Sequence, residues 1–169
     1  MRDGVRIGVD VGRARIGVAR TDPHGMIATP VETVPRASSG SDDVATIVGH
    51  AVELAAVEIV VGLPLSLSGR DTPSTADARV FADALAAASS VPVRLVDERL
   101  STVSAQGALR ASGRKGRRQR SVIDQVAAVI IVQHALDLER SSGRPPGQLV
   151  SVPDADEGDG AEPDTDEGR

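Results

Sequence analysis

The order of the apolar stretches constrains this chain most: three strand-like segments close together, then helices and strands in alternation. Val5, Ile7 and Val9 alternate with Arg6, Gly8 and Asp10, the period of a strand with one buried face. After a turn at Gly12-Arg13, Ile16 to Ala19 predict a second strand and Ile27 to Val34 a third. Strands joined by turns this short pair as an antiparallel meander. Ser41 or Asp42 then caps a helix to about Ala56. The β-branched run Glu58 to Leu65 (EIVVGLPL) reads as a buried strand ended by Pro64, and 66–75 as a polar loop. Pro73 to Ser89 is Ala-rich and helical, and Val91 to Val96 is another strand. A short helix is expected from Ser101 or Thr102 to about Ala111, then a basic loop over 112–120. Ser121 opens a long helix, Val122 to about Arg140. A meander followed by βα crossovers predicts the α/β class, with a mixed sheet flanked by helices.

Composition removes several function classes. The chain has 169 residues and no cysteine, which excludes a disulfide scaffold, thiolate metal sites and a cysteine nucleophile. His24, His50 and His134 lack the spacing of a histidine-built zinc site. Phe81 is the sole aromatic residue, which argues against modules that stack bases on aromatic platforms. No unbroken apolar run reaches 18 residues and no charged-then-apolar leader opens the chain. The expectation is a cytoplasmic protein with no membrane partner.

The net charge of −5 averages two unlike pieces. Residues 151–169 hold eight acids and one base, a net −7, while 1–150 hold 18 bases and 16 acids, a net +2. The tail lacks apolar periodicity, so we expect one folded domain over 1–150 and a disordered acidic tail over 151–169. Five bases crowd into seven residues: Arg114, Lys115, Arg117, Arg118 and Arg120. Such a cluster points to a polyanion, and nucleic acid is the expected partner. Arg13, in the first turn, and Arg70, in the loop after Gly62-Leu63-Pro64, leave strand ends and could also contact phosphates.

Three acids are candidates for chemistry. Asp10 ends an apolar strand, where open α/β sheets bind ligands; the plainer reading is a turn aspartate accepting a backbone N–H. Asp97 and Glu98 end the VPVRLV strand. Alternation puts them on opposite faces, one toward the crevice and the other toward solvent or an arginine such as Arg94 or Arg99. Ser121-Val-Ile-Asp124 matches a capping box, which alone would explain Asp124. Yet Asp124 shares a helix face with Ala127, Ala128 and Ile131, the side expected to be buried. An acid there needs a positive partner, and a bound cation is one. Carboxylates without His or Cys select hard ions such as Mg2+ or Mn2+, which serve phosphoryl chemistry.

The stretches VRIGVDVGRARIGVARTD, VGLPLSLSGRDTPST, VRLVDERLST and SVIDQVAAVIIVQ resemble, in order, the bacterial YqgF/RuvX family. Its members are described as pre-16S rRNA nucleases or Holliday junction resolvases. The resemblance spans about residues 5–140 and implies an RNase H-like fold with a metal-dependent nuclease site. It also implies that Asp10, Glu98 and Asp124 are the catalytic and metal-binding residues, Glu98 being chosen over Asp97 by the family's DER pattern. The implied function is a metal-dependent endonuclease that processes the 5′ end of pre-16S rRNA in ribosome biogenesis. The alternative is a resolvase cutting four-way DNA junctions in DNA recombination, which would act as a homodimer. Two further classes compete. An actin-like ATPase would use Asp10-x-Gly12, but about 150 ordered residues supply only one lobe. A non-catalytic nucleic-acid binder would need the basic cluster alone.

Overall fold

A computed structural model of the chain describes residues 1–99 and 117–152, with the backbone alone for 117–119. Its strands are β1 (Arg6–Val11), β2 (Arg15–Thr21), β3 (Ala28–Pro35), β4 (Glu58–Leu63), β5 (Val93–Asp97) and β6 (Gln148–Leu149). They form one sheet in the order β3-β2-β1-β4-β5-β6. β1–β2 and β2–β3 are antiparallel, β1–β4 and β4–β5 parallel, and β5–β6 antiparallel. The expected mixed sheet forms. The described helices are α1 (Asp42–Glu53), α2 (Pro73–Ala88) and α3 (Arg117–Ser142).

Strand alternation divides the sheet into two unlike faces. Ile7, Val9, Ile16, Val18, Ile59, Val61, Val93 and Leu95 point one way and pack on α1 and α2 through Val44, Ile47, Phe81 and Leu85. Burying each such side chain contributes roughly 1.5–3 kcal/mol, so this layer is the main core. The opposite face carries Gly8, Gly17, Ala19 and Gly62, and α3 lies against it. Small residues let the helix come close. A Cβ at Gly8 would sit 2.7 Å from the Val132 side chain and 2.8 Å from the Ala128 carbonyl.

The structure corrects the sequence reading in two places. The last helix begins at Arg117, not at Ser121. Arg and Gln are good helix formers, so RRQR continues the helix outward, and Arg117, Arg118 and Arg120 belong to its first turns rather than to a loop. The Ser121–Asp124 capping box does not form. Ser121 lies inside the helix, and its hydroxyl donates to Thr33 Oγ1 at 2.9 Å. Strand β6 was not anticipated: two residues give no periodicity. It is held by Val150 N–H donating to Val93 O at 2.9 Å, with Val150 packed on the core. The expected helix near 101–111 falls outside the described residues, as do Arg114, Lys115 and the tail from 153 onward.

Among the described residues one helix, Arg120–Ser142, is long and apolar enough to cross a membrane by length and composition. Asp124, Gln125, Gln133 and His134 break its apolar residues into shorter runs. Its Ala128, Ile131, Val132, Ala135 and Leu136 are buried, and the helix packs on β1, β2 and β3.

Candidate active site

The glycine-lined face ends in acids at the carboxyl ends of β1 and β5. Asp10 pairs with Gly17 of β2, which puts it on the α3 side. On β5, Val96 pairs with Gly62, so the next residue on that face is Glu98. Glu98 is 7% exposed, and a Cβ on Gly62 would come within 2.5 Å of its Oε2. Gly62 therefore makes room for the Glu98 carboxylate. Asp97 takes the other side. It forms an ion pair with Arg99 at 2.6 Å, and both side chains are well exposed. The Arg99 hydrogen bond keeps Asp97 below the usual carboxylate range, against a smaller opposing effect of burial.

Asp124 approaches from α3. A Cβ at Gly17 would collide with its backbone carbonyl, so only glycine lets the helix sit this near β2. Thr33 of β3 fixes the same turn. Its hydroxyl donates to Ser121 O at 2.9 Å and accepts from Gln125 Nε2 at 3.1 Å. The Asp124 carboxylate meets Arg15, whose Nε donates to Oδ2 at 2.9 Å.

The electrostatics separate these acids from ordinary surface carboxylates. Burial, then the charge of Asp124, pushes Asp10 up to about 6. Burial, then the charges of Asp10 and Asp97, pushes Glu98 up to about 8. Like charges held together out of water resist ionisation. A divalent cation reverses both effects, and oxygen-only donors suit a hard ion. The donor set therefore fits such a metal. Among the described residues no three such side chains converge as a ready-made cage: Asp10 and Glu98 bear on each other, while Asp124 is turned to Arg15.

Two loops border the acids. Arg13 is exposed in the β1–β2 turn. Arg36 holds that turn: its Nη1 donates to Gly12 O at 2.9 Å, it pairs with Asp77 of α2 at 2.8 Å, and it lies over the Phe81 ring at 5.3 Å. Arg70 is exposed in a tight loop closed by Gly69 N–H to Ser66 O and Ser66 N–H to Arg70 O. Gly69 adopts φ +81° there, which a side chain would strain. Thr75 of α2 ties the loop's base by donating to Pro64 O. Arg120 is exposed on α3. The structure thus brings Asp10 and Glu98 together with Asp124 beside them, while Arg114 and Lys115 lie outside the described residues. Sequence reasoning missed Arg15, Thr33 and Arg36, and the roles of Gly17 and Gly62. Only Gly17 and Gly62, on apolar strands, carried a signal: isolated glycines there mark close approach of another chain segment.

Comparison with known proteins agrees with this architecture. The family model described as "RuvX: Holliday junction resolvase" matches residues 4–138. A protein of Clavibacter michiganensis subsp. michiganensis is 69% identical over 150 residues, covering 89% of this chain and 93% of its own. One of Leifsonia xyli subsp. xyli is 58% identical over 152 residues, covering 89% and 96%. Both carry the name "Putative pre-16S rRNA nuclease". Among solved structures, "T. thermophilus RuvC in complex with Holliday junction substrate" superposes with a TM-score of 0.55 at 14% identity, covering 87% of this chain and 99% of that one. At that identity the likeness speaks for the fold, which is RNase H-like. With 135 consecutive residues matched by the family model and relatives this similar along most of its length, the chain belongs to the RuvX family.

Proposed function

We propose that this chain is a divalent-metal-dependent endonuclease of the cytoplasm that processes the 5′ end of pre-16S rRNA. Residues 1–150 form the nuclease domain, and the acidic 151–169 are an appendage to it. The observation that carries the reading is the placing of Asp10 and Glu98 side by side at the carboxyl ends of β1 and β5, Asp10 half-buried and Glu98 buried. Burial and other acids push them up to about 6 and about 8 there. Asp10, Glu98 and Asp124 would hold Mg2+ or Mn2+. When bound, such ions activate a water and stabilise the leaving oxygen of a phosphodiester. The chain's own residues supply the rest. The glycines at 17 and 62 give the carboxylates room to approach. Arg36 steadies the turn that presents Arg13. Arg13, Arg70 and Arg120, with Arg114, Lys115, Arg117 and Arg118, would draw and orient the phosphate backbone. Such contacts set affinity and make it salt-dependent.

The names of the relatives favour the rRNA precursor. The description of the family favours a four-way DNA junction, and a resolvase would need a two-fold dimer. Cleavage of a pre-16S precursor and of a synthetic junction, measured on one preparation with Mg2+ or Mn2+, separates them. The expected result is metal-dependent cut RNA and loss of cleavage in Asp124→Asn, with melting curves showing that the variant is folded. Cutting of the junction by a dimer would transfer the reading to a resolvase. Cleavage of neither, or full cleavage by Asp124→Asn, would overturn it.

A further inference from the structure

We propose that Arg15 is an exchangeable counter-cation: it holds the Asp124 carboxylate when no metal is bound and must release it for a divalent ion to bind. This rests on the nuclease reading above. The ion pair is short, 2.9 Å from Nε to Oδ2, yet its members differ in freedom. The Asp124 side chain is 17% exposed and that of Arg15 is 38% exposed. The Asp124 backbone is fixed on both sides, by the glycine at 17 and by the Thr33 bonds to Ser121 and Gln125. The Arg15 backbone is fixed as well, since its carbonyl accepts from Gly12 N–H at 2.9 Å. Only the long arginine side chain is left to move, and it ends partly in water.

The charge of Asp124 also bears on Asp10, so the carboxylate that Arg15 holds belongs electrostatically to the acid group. A guanidinium keeps its proton at any ordinary pH. At Asp124 the exchange is therefore one cation for another, with no loss of the arginine's proton. Two cations on one carboxylate repel each other, so each weakens the other's hold. Arg15 thus sets a threshold for metal loading. It balances the Asp124 charge in the metal-free site, and it lowers the affinity for the ion that replaces it.

Breaking a part-exposed pair costs at most about fivefold in an equilibrium constant, which sets the size of the effect. The test is Mn2+ binding to the full chain without nucleic acid, by calorimetry or by the paramagnetic signal of free Mn2+. Arg15→Gln should bind Mn2+ about fivefold more tightly than wild type, and Arg15→Lys should stay near wild type. In an Asp124→Asn background the gain from Arg15→Gln should fall below about twofold, as coupling through a shared partner requires. Arg15→Met gives the same reading should the Gln variant fail to fold, with metal-free melting curves as the control. Equal or weaker Mn2+ binding by the charge-removed variants would overturn the inference, as would a full gain that persists without Asp124. A wild-type protein that binds no Mn2+ would overturn both this inference and the nuclease reading; one that binds Mn2+ indifferently to Arg15 would overturn this inference alone.

Discussion

The layer between the sheet and α3 buries charge at both ends, and it treats the two ends in opposite ways. At one end lie Arg6, Glu58 and Glu139, all nearly inaccessible, with Arg2 and Arg94 at the rim. Arg2 bonds Glu139 at 2.8 Å and Glu58 at 3.0 Å; Arg6 reaches Glu139 at 3.1 Å; Arg94 reaches Glu58 at 3.2 Å. Burial would raise Glu139, but the Arg2 hydrogen bonds and the Arg6 and Arg2 charges outweigh it and hold the carboxyl at about 2. At the other end Asp10 and Glu98 are pushed up by burial and by other acids. The same strands and the same helix thus hold one set of acids closed by arginines and another set closed only in part, by Arg15. The first set fastens the N-terminal segment and the C-terminal half of α3 to the sheet. The second, on the proposed function, takes a cation from outside.

Substitution should break this contrast in opposite directions. Outer partners of a metal are worth roughly 10- to 100-fold in affinity or activity, so Asp10→Asn or Glu98→Gln should lower metal-dependent cleavage by more than about 100-fold. Glu98→Gln should at the same time stabilise the metal-free protein above pH 8, because it removes a disfavoured charge. Glu139→Gln should do the reverse. It strands buried Arg6 without one of its partners and should cost about 3–5 kcal/mol in chemical unfolding, with Mn2+ affinity of the folded protein unchanged. If the Glu139 variant lost metal binding while folded, the two ends would not be separate.

The pH dependence sharpens the same comparison. Asp10 and Glu98 are raised on folding, so their protonated forms stabilise the folded state. That contribution is present below about pH 4 and is lost as the pH rises through about 6 and about 8. Glu139 is lowered, so its contribution is present above the ordinary glutamate range and is lost as the pH falls toward about 2. Unfolding of the metal-free protein should therefore become easier from about pH 5 to 8 by a few kcal/mol. Saturating Mn2+ should remove that loss. A metal-free stability that stayed level across this range would contradict the raised values.

Smaller effects follow from geometry. Gly17→Ala forces α3 away from β2 at Asp124. Overpacking of this kind costs about 1–3 kcal/mol, and Mn2+ binding should weaken with it, whereas Gly49→Ala on α1, which meets nothing within 4 Å, should do neither. Arg13→Gln should weaken nucleic-acid binding evenly across sequences and reduce the salt slope by about one, as read from binding at several salt concentrations.

Much of this was legible in the sequence, and the reasons are local. The alternation of Val5, Ile7 and Val9 and the run EIVVGL record burial directly, so β1 and β4 could be read. Strand ends and a helix face marked Asp10, the Asp97-Glu98 pair and Asp124; alternation put Asp97 and Glu98 on opposite faces, and the resemblance chose Glu98. What could not be read depends on distant partners. Arg6, Glu58 and Glu139 look like solvent-facing charges in an alternating pattern, and only the packed structure shows them closing on one another. Ser121 matched a cap because the pattern cannot show that its hydroxyl is taken by Thr33, 88 positions away. Arg15 met Asp124 across 109 positions, and no local signal reports such a pair.

The most direct measurement is calorimetric titration of Mn2+ into the wild-type chain at pH 7, in two buffers of different ionisation enthalpy. Ligands must be deprotonated to bind a metal, so binding expels their protons. With Glu98 at about 8, the account predicts that the ion binds, that about one proton leaves per site, and that Glu98→Gln abolishes the release. An absence of Mn2+ binding, or binding with no proton released, would contradict it.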